Sequence, residues 1–315
     1  MGCGSWTSSS WDSYKKSKSI DDRSTVRSIY HSSECKDTMN PKGVSVRESR
    51  DSDEHPNSNA IILGLDVTGS MGSTAETIAK GGLNDIITGI YDKDILEDPQ
   101  IMVAAIGDTY YDESPLQVGQ FESDIRAAEN LTDIWFEAGG GGNGGESYLA
   151  LWYFAARHTS IDCFEKRGKK GVIFTIGDEP CCARLPKDHI EKFFGDNVQA
   201  DIKAEDILAE VSRMYDVYHI GLREYGFSKD GYGFYRDAET FWPELLGERA
   251  MLIKGEKDEN LDRIPAIINA TLELRMGRKL EDVTKDMDSS TALVVRNAVS
   301  GLSAEKVGSA ELVEF

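Results

Sequence analysis

Three clusters of oxygen-bearing side chains each follow an apolar stretch of this 315-residue sequence. The first runs from Asp66 to Ser70 as Asp-Val-Thr-Gly-Ser, the second is the glycine-rich segment 139–147, and the third begins at Gly177-Asp178. None of them contains His or cysteines at metal-binding spacing. Carboxylates and hydroxyls in such a set suit a hard divalent cation, Mg²⁺ or Mn²⁺, held octahedrally with waters, and do not suit zinc.

The spacing of Asp66, Thr68 and Ser70 allows all three side chains to turn toward one point. Alternate residues of a loop leaving a strand can face the same ion, and the intervening glycines let the backbone fold tightly. Two hydroxyls can then bind the ion directly while the carboxylate holds a water. Because hydroxyl ligands leave the ion's charge incompletely neutralised, the ion still attracts an outside carboxylate. This design favours binding over the activation of water.

The elements that position these clusters alternate between apolar runs and helical patterns. Continuous apolar runs predict strands buried on both faces, and Trp135-Phe136 is interpreted as the end of a further strand. The runs are 60–65, 101–106, 172–176, 217–220 and 250–253. Helical patterns lie between them, the first beginning with a capping box at 73–76, and two others cover 202–214 and 264–274. This alternation predicts an α/β fold with a doubly wound, mostly parallel sheet flanked by helices, and ligands at the carboxyl ends of its strands.

Composition divides the chain into three parts. Residues 1–59 hold fifteen serines and few aliphatic side chains, so we expect a Ser-rich flexible N-terminal arm over residues 1–56 without apolar anchors. The main domain is expected over 57–275, and a weakly helical C-terminal extension over 276–315. The charge-dense block 47–54 is either a solvated linker or a docking segment that folds onto the domain.

Charge and cysteine usage exclude several classes of protein. Basic and acidic residues balance over residues 1–59, so the whole net charge of −20 belongs to the rest of the chain. Such acidity repels nucleic acid and favours cations or basic partners. Five cysteines without framework spacing predict a reduced, cytoplasmic protein, and no apolar run is long enough for a membrane helix.

The segment from Asp66 to Met71 resembles the DxSxS/DxTxS signature of von Willebrand factor A domains, which carry a metal-ion-dependent adhesion site. The resemblance extends over about residues 57–275, because the glycine-rich loop and Gly177-Asp178 follow in the expected order. It implies that Asp66, Thr68, Ser70 and Asp178 are metal ligands.

The glycine-rich loop departs from the commoner pattern, in which a Thr is the ligand. Here the loop reads Asn143-Gly-Gly-Glu146, which is similar to the loop of integrin β-subunit I-like domains. That similarity implies Glu146 as a direct ligand, and it places Asn143 where a neighbouring cation site can use a carboxylate.

The chain as a whole resembles uncharacterised von Willebrand A proteins of bacteria and their phages. The resemblance implies a protein–protein interaction module that binds a partner Asp or Glu through the cation. Adaptors for MoxR-type AAA+ ATPases and phage virion components are the two settings that it suggests, and neither is an enzyme.

An enzymatic alternative stays open at this point. Asp66-Val-Thr-Gly-Ser also resembles the Asp-Lys-Thr-Gly-Thr loop of phosphorylated-aspartate ATPases, which would make Asp66 the nucleophile of a Mg²⁺-dependent phosphotransfer. Against it, Thr68 stands where haloacid-dehalogenase phosphatases usually have Asp. Simpler interpretations also exist: Asp178 as a turn residue, and Glu146 as a favourable charge at a helix N-terminus.

Overall fold

The computed structural model of the chain describes residues 4–139, 145–222, 237–253 and 259–302. Its strands are β1 (Arg47–Ser49), β2 (Asn59–Asp66), β3 (Pro99–Ile106), β4 (Leu116–Val118), β5 (Thr159–Ile161), β6 (Gly171–Gly177), β7 (Arg184–Leu185), β8 (Ile202–Lys203), β9 (Tyr215–Leu222) and β10 (Ala250–Ile253). Its α-helices are α1 (Ser8–Lys18), α2 (Val26–Ile29), α3 (Gly72–Thr77), α4 (Leu83–Asp92), α5 (Arg126–Asp133), α6 (Tyr148–Arg157), α7 (Asp162–Glu165), α8 (Lys187–Phe194), α9 (Ala204–Val211), α10 (Ala238–Leu246), α11 (Ile264–Arg275), α12 (Leu280–Thr284) and α13 (Ser289–Ala298).

Six strands form the central sheet in the order β10-β9-β6-β2-β3-β4. Every neighbouring pair is parallel except β3 and β4, which are antiparallel. The chain starts in the middle at β2, winds to one side through β3, and then winds to the other side through β6, β9 and β10. The predicted fold class, a doubly wound and mostly parallel α/β sheet, is therefore confirmed.

Helices cover both faces of the sheet and create two hydrophobic cores. Alternate residues of β2 point to opposite faces, so Ile61 and Leu63 pack in the core with α4 and α11, whereas Ile62 packs with α6 and α9. Burial on both faces explains why the central strands are continuous apolar runs in the sequence.

Two local predictions were wrong. Trp135 and Phe136 follow α5 outside any strand, and the edge strand is β4. At three residues, β4 is too short to display a periodic pattern. The helix after Ser70 begins at Gly72, and its N-cap residue Met71 has no capping side chain, so the capping box predicted at 73–76 is absent.

The N-terminal segment packs on the domain, which contradicts the flexible arm without apolar anchors predicted for residues 1–56. Trp6, Trp11 and Tyr14 are at most 7% exposed, and the Trp6 indole donates to Asn84 Oδ1 at 3.1 Å. Trp6 stacks on Trp11 and Trp11 stacks on Tyr14, but the many serines around them make the segment look flexible by composition. The domain boundaries at 56/57 and 275/276 stay predictions.

The charge-dense block 47–54 also contacts the domain. Within it, β1 pairs with β5 in parallel, and Arg50 Nη1 bonds to Asp162 Oδ1 at 2.8 Å. Of the two interpretations left open, the docking segment is the correct one. In the predicted C-terminal extension, Val295 of α13 packs into the same hydrophobic core as α11.

Among the described residues, no helix combines the length and the apolar character needed to cross a membrane.

Candidate metal centre

The first and third sequence clusters begin at one edge of the sheet because β2 and β6 are adjacent and parallel. Asp66 is the last residue of β2, and Asp178 directly follows β6. Leu65 pairs with Ile176, so the chain beyond these two residues leaves both strands at the same level. This is the edge where parallel α/β sheets bind ligands.

Both carboxylate oxygens of Asp66 accept hydrogen bonds. Oδ1 accepts from the backbone N–H of Thr68 at 2.8 Å and from its hydroxyl at 2.6 Å, and Oδ2 accepts from the Tyr148 hydroxyl at 2.8 Å. Asp66 and Thr68 are buried, whereas Ser70 is half-buried in the short 3₁₀ turn Gly69–Met71. Ser70 makes no hydrogen bond to the other predicted ligands in the described part of the chain.

Glu146 is held beside this pair by the backbone that follows Asp178. Its N–H donates to Pro180 O at 2.9 Å, and its carbonyl accepts from the N–H of Cys182 at 3.0 Å. The side chain is 4% exposed, and its Oε2 atom has no hydrogen-bond partner among the residues that the structure describes. Because an unsatisfied buried carboxylate is costly, this oxygen requires a proton or a cation.

The electrostatics show that the predicted carboxylates influence one another. Burial and the neighbouring Asp178 carboxylate raise the pKa of Asp66 to about 7. Burial and the charges of Asp66 and Asp108 raise the pKa of Glu146 well above its ordinary value. Like charges in a buried site repel, and a divalent cation between them would offset that repulsion.

The loop after β3 is a fourth contributor that the sequence analysis did not identify. Asp112 Oδ2 accepts from the N–H of Asp108 at 2.7 Å, and the Thr109 N–H donates to Ser147 Oγ at 2.9 Å. A Cβ atom at Gly139 would overlap the Asp112 carboxylate, so glycine is required where the glycine-rich loop begins. The available signal was Gly107-Asp108, directly after the apolar run 101–106.

The donor set fits a cation only if hydroxyl oxygens take part. In the part of the chain that the structure describes, no three His, Cys, Asp or Glu side chains could hold a metal ion by themselves. Thr68 meets this need, because a hydroxyl that donates to Asp66 keeps lone pairs for a metal. The predicted all-oxygen set of Asp66, Thr68, Ser70, Glu146 and Asp178 therefore stays a prediction. Asn143 lies outside the described residues.

No protein-family model matches the sequence, and no curated protein matches it. The solved structures similar to the chain include the pilus adhesin SpaC from Lactobacillus rhamnosus GG, with 11% identity and a TM-score of 0.46. That similarity covers 69% of this chain but 31% of the adhesin, so the chain spans about a third of that protein.

Two further solved structures are similar at the same distant level. An aerotolerance-related membrane protein from Bacteroides fragilis has 16% identity and a TM-score of 0.39, over 68% of this chain and 98% of that protein. Proximal thread matrix protein 1 from the mussel byssus, with a zinc-occupied MIDAS motif, has 11% identity and a TM-score of 0.41. The similarity covers 73% of this chain and 49% of that protein. Scores this low carry no inference about the site, so the fold class rests on the sheet itself.

Proposed function

We propose that this chain is a protein-binding module that holds Mg²⁺ or Mn²⁺ at the edge of its sheet and binds an Asp or Glu side chain of a partner. The observation that carries this proposal is the buried Oε2 atom of Glu146, which has no partner within the described ranges and lies beside Asp66 and the Thr68 hydroxyl. A cation there would satisfy Glu146 and offset the repulsion among the carboxylates. When bound, it supplies an open coordination position for an outside carboxylate.

A binding role is favoured over phosphotransfer by the state of Asp66. Both of its carboxylate oxygens accept hydrogen bonds, and the residue is 1% exposed. An attacking oxygen must be reached by the substrate, and a residue this deeply buried does not allow that approach. We therefore propose a non-enzymatic protein, and expect no Asp66-dependent release of phosphate from p-nitrophenyl phosphate or ATP.

The setting of this module follows from the sequence resemblance and the free cysteines. All four cysteines in the described residues are free, which supports a reduced, cytoplasmic location. The partner class that the resemblance implies is a MoxR-type AAA+ ATPase, and a phage virion component is the second setting. We expect no nucleic acid among the partners because the chain carries a net charge of −20.

Affinity capture with and without EDTA tests the binding role. We expect partners that are retained in Mg²⁺, are lost in EDTA, and are lost with Ser70→Ala. Ser73→Ala is the matched control, since it removes the same hydroxyl three residues away, inside α3. If partners were retained equally in Mg²⁺ and in EDTA, binding would not depend on the cation. The partner would then bind elsewhere on the protein, and the proposal would be refuted.

A further inference from the structure

A buried aromatic cluster lies directly beneath the candidate metal centre. It consists of Tyr148 on α6, His219 on β9 and Trp242 on α10, all at 0% exposure. His219 stacks on Trp242 with ring centroids 3.6 Å apart, and Tyr148 contacts both rings edge-on at 5.2 and 5.1 Å. None of these residues belongs to the predicted ligand set, yet the cluster has a polar contact at each end.

One end of the cluster contacts Asp66. The Tyr148 hydroxyl donates to Asp66 Oδ2 at 2.8 Å, which occupies the oxygen that does not face Thr68. A hydrogen bond from a fixed, buried phenol to a carboxylate is charge-assisted and directional. This bond holds Oδ2 against Tyr148, so the Asp66 carboxylate keeps one orientation. In that orientation Oδ1 faces Thr68, the neighbouring predicted ligand.

The other end contacts the loop that carries Asp178. The Trp242 indole N–H donates to the backbone carbonyl of Glu179 at 3.1 Å. His219 is fixed from the side by a 2.9 Å hydrogen bond between its Nδ1 atom and Thr175 Oγ1 on β6. The cluster therefore connects the carboxylate at the end of β2 with the backbone immediately after Asp178.

The backbone is shaped to admit the Tyr148 hydroxyl. A Cβ atom at Gly177, the last residue of β6, would overlap that hydroxyl and would lie 3.0 Å from Asp66 Oδ2. Its φ angle is not in the left-handed region, so glycine is required there by space and not by conformation. This steric requirement is independent of the hydrogen bond and points to the same atom.

We infer that Tyr148 is a positioning residue for the cation site, and that Trp242 transmits the same constraint to the Asp178 loop. This inference rests on the proposed function. Side chains that orient metal ligands set metal affinity without touching the ion, and their loss typically weakens binding 10–100-fold.

The test compares Tyr148→Phe with Tyr153→Phe by titration with Mn²⁺, following free Mn²⁺ by electron paramagnetic resonance. Tyr153 is the matched control, because its hydroxyl also donates to a carboxylate, Asp196 Oδ2, at 2.6 Å, one turn farther along α6. We expect Tyr148→Phe to raise the Kd for Mn²⁺ about 10–100-fold and Tyr153→Phe to leave it unchanged.

The other outcomes separate this inference from the proposed function. Equal Kd values for the wild-type protein and Tyr148→Phe would overturn the positioning role and leave the cation site intact. A wild-type protein that binds no Mn²⁺ would overturn both.

A second variant covers the case in which Tyr148→Phe does not fold. Trp242→Phe keeps a ring in the cluster but removes the donor to Glu179, and we expect the Kd to rise about 10-fold. An unchanged Kd in folded Trp242→Phe would overturn the connection to the Asp178 loop. A purely structural role would instead lower the melting temperature in EDTA and leave the Kd unchanged.

Discussion

Replacing Asp66 by Asn should raise the melting temperature of the metal-free protein and abolish its stabilisation by Mg²⁺. The variant removes one negative charge from a buried site that also holds Glu146 and Asp178. Without a cation, that charge destabilises the fold, whereas with a cation it is part of the binding site. Asp66→Asn should therefore stabilise the metal-free protein and, by removing a ligand, take away the stabilisation that Mg²⁺ provides.

The magnitude follows from the pKa of Asp66. Burial and Asp178 raise this pKa from 3.8 to about 7. Since one pKa unit corresponds to about 1.4 kcal/mol, ionised Asp66 costs the folded state about 4 kcal/mol above pH 7. That pKa already includes the hydrogen bonds from Thr68 and Tyr148, so the gain from Asp66→Asn is at most about 4 kcal/mol.

The pH dependence has a definite sign. The folded-state pKa of Asp66 lies above the unfolded value, so the stability linked to this group is complete below about pH 4. It is lost as the pH rises through about 7. The advantage of Asp66→Asn in EDTA should therefore be large at pH 8 and small at pH 4.

Differential scanning calorimetry in EDTA and in Mg²⁺ measures both effects. A gain of up to about 4 kcal/mol corresponds to a rise of up to about 8–16 °C in EDTA at pH 8. Mg²⁺ at a hundredfold excess over Kd adds about 2.7 kcal/mol, or about 5–10 °C, to the wild-type protein and nothing to the variant.

Asp92→Asn is the matched control for this experiment, because it makes the same change in charge at an exposed position at the end of α4. It should leave both melting temperatures unchanged. The reasoning fails if Asp66→Asn lowers the melting temperature in EDTA, or if the variant keeps the gain in Mg²⁺.

Three further predictions concern the N-terminal segment and the ligand set. Trp11→Ala should lower the free energy of unfolding by about 3–5 kcal/mol and expose residues 4–40 to limited proteolysis, because it removes a buried ring; a protease-resistant variant would contradict the packing. Hydrogen bonds from Arg167, Ser58 and Lys166 outweigh burial and hold the pKa of Asp51 well below its usual range. The stability linked to Asp51 is thus present above about pH 4 and is lost at lower pH, so Arg167→Met should flatten the loss of stability that urea unfolding measures between pH 5 and pH 2. Glu146→Thr should keep a smaller Mg²⁺ gain than the wild-type protein, and an unchanged gain would exclude Glu146 as a ligand.

The central sheet could be predicted because its strands are buried on both faces. Runs such as 60–65 and 172–176 are continuously apolar for that reason, and each ends at a polar cluster. Adjacent parallel strands then bring Asp66 and Asp178 to the same edge without further information. The short edge strand β4 has no such pattern, because its pairing with β3 depends on tertiary contacts.

The parts of the site that were missed depend on contacts between distant residues. Tyr148 and Trp242 are 94 positions apart and meet only after the sheet and its helices assemble. The sequence analysis singled out neither of them. The anchoring of Glu146 to the backbone after Asp178 is likewise a tertiary pairing that no local spacing reveals.

The N-terminal segment and the candidate metal centre meet on the helical stretch that begins directly after the cation motif. Tyr30 donates its hydroxyl to the carbonyl of Ala75 on α3 at 3.1 Å. Lys15 Nζ donates to the carbonyl of Lys80 at 2.7 Å, inside the π-helical turn Ile78–Gly82 that joins α3 to α4. A π turn changes the regular α-helical hydrogen bonding to i→i+5 and is rare, and here Lys15 contacts that turn directly. The N-terminal segment, which composition places outside the domain, therefore helps to fix the helical stretch that follows the cation motif.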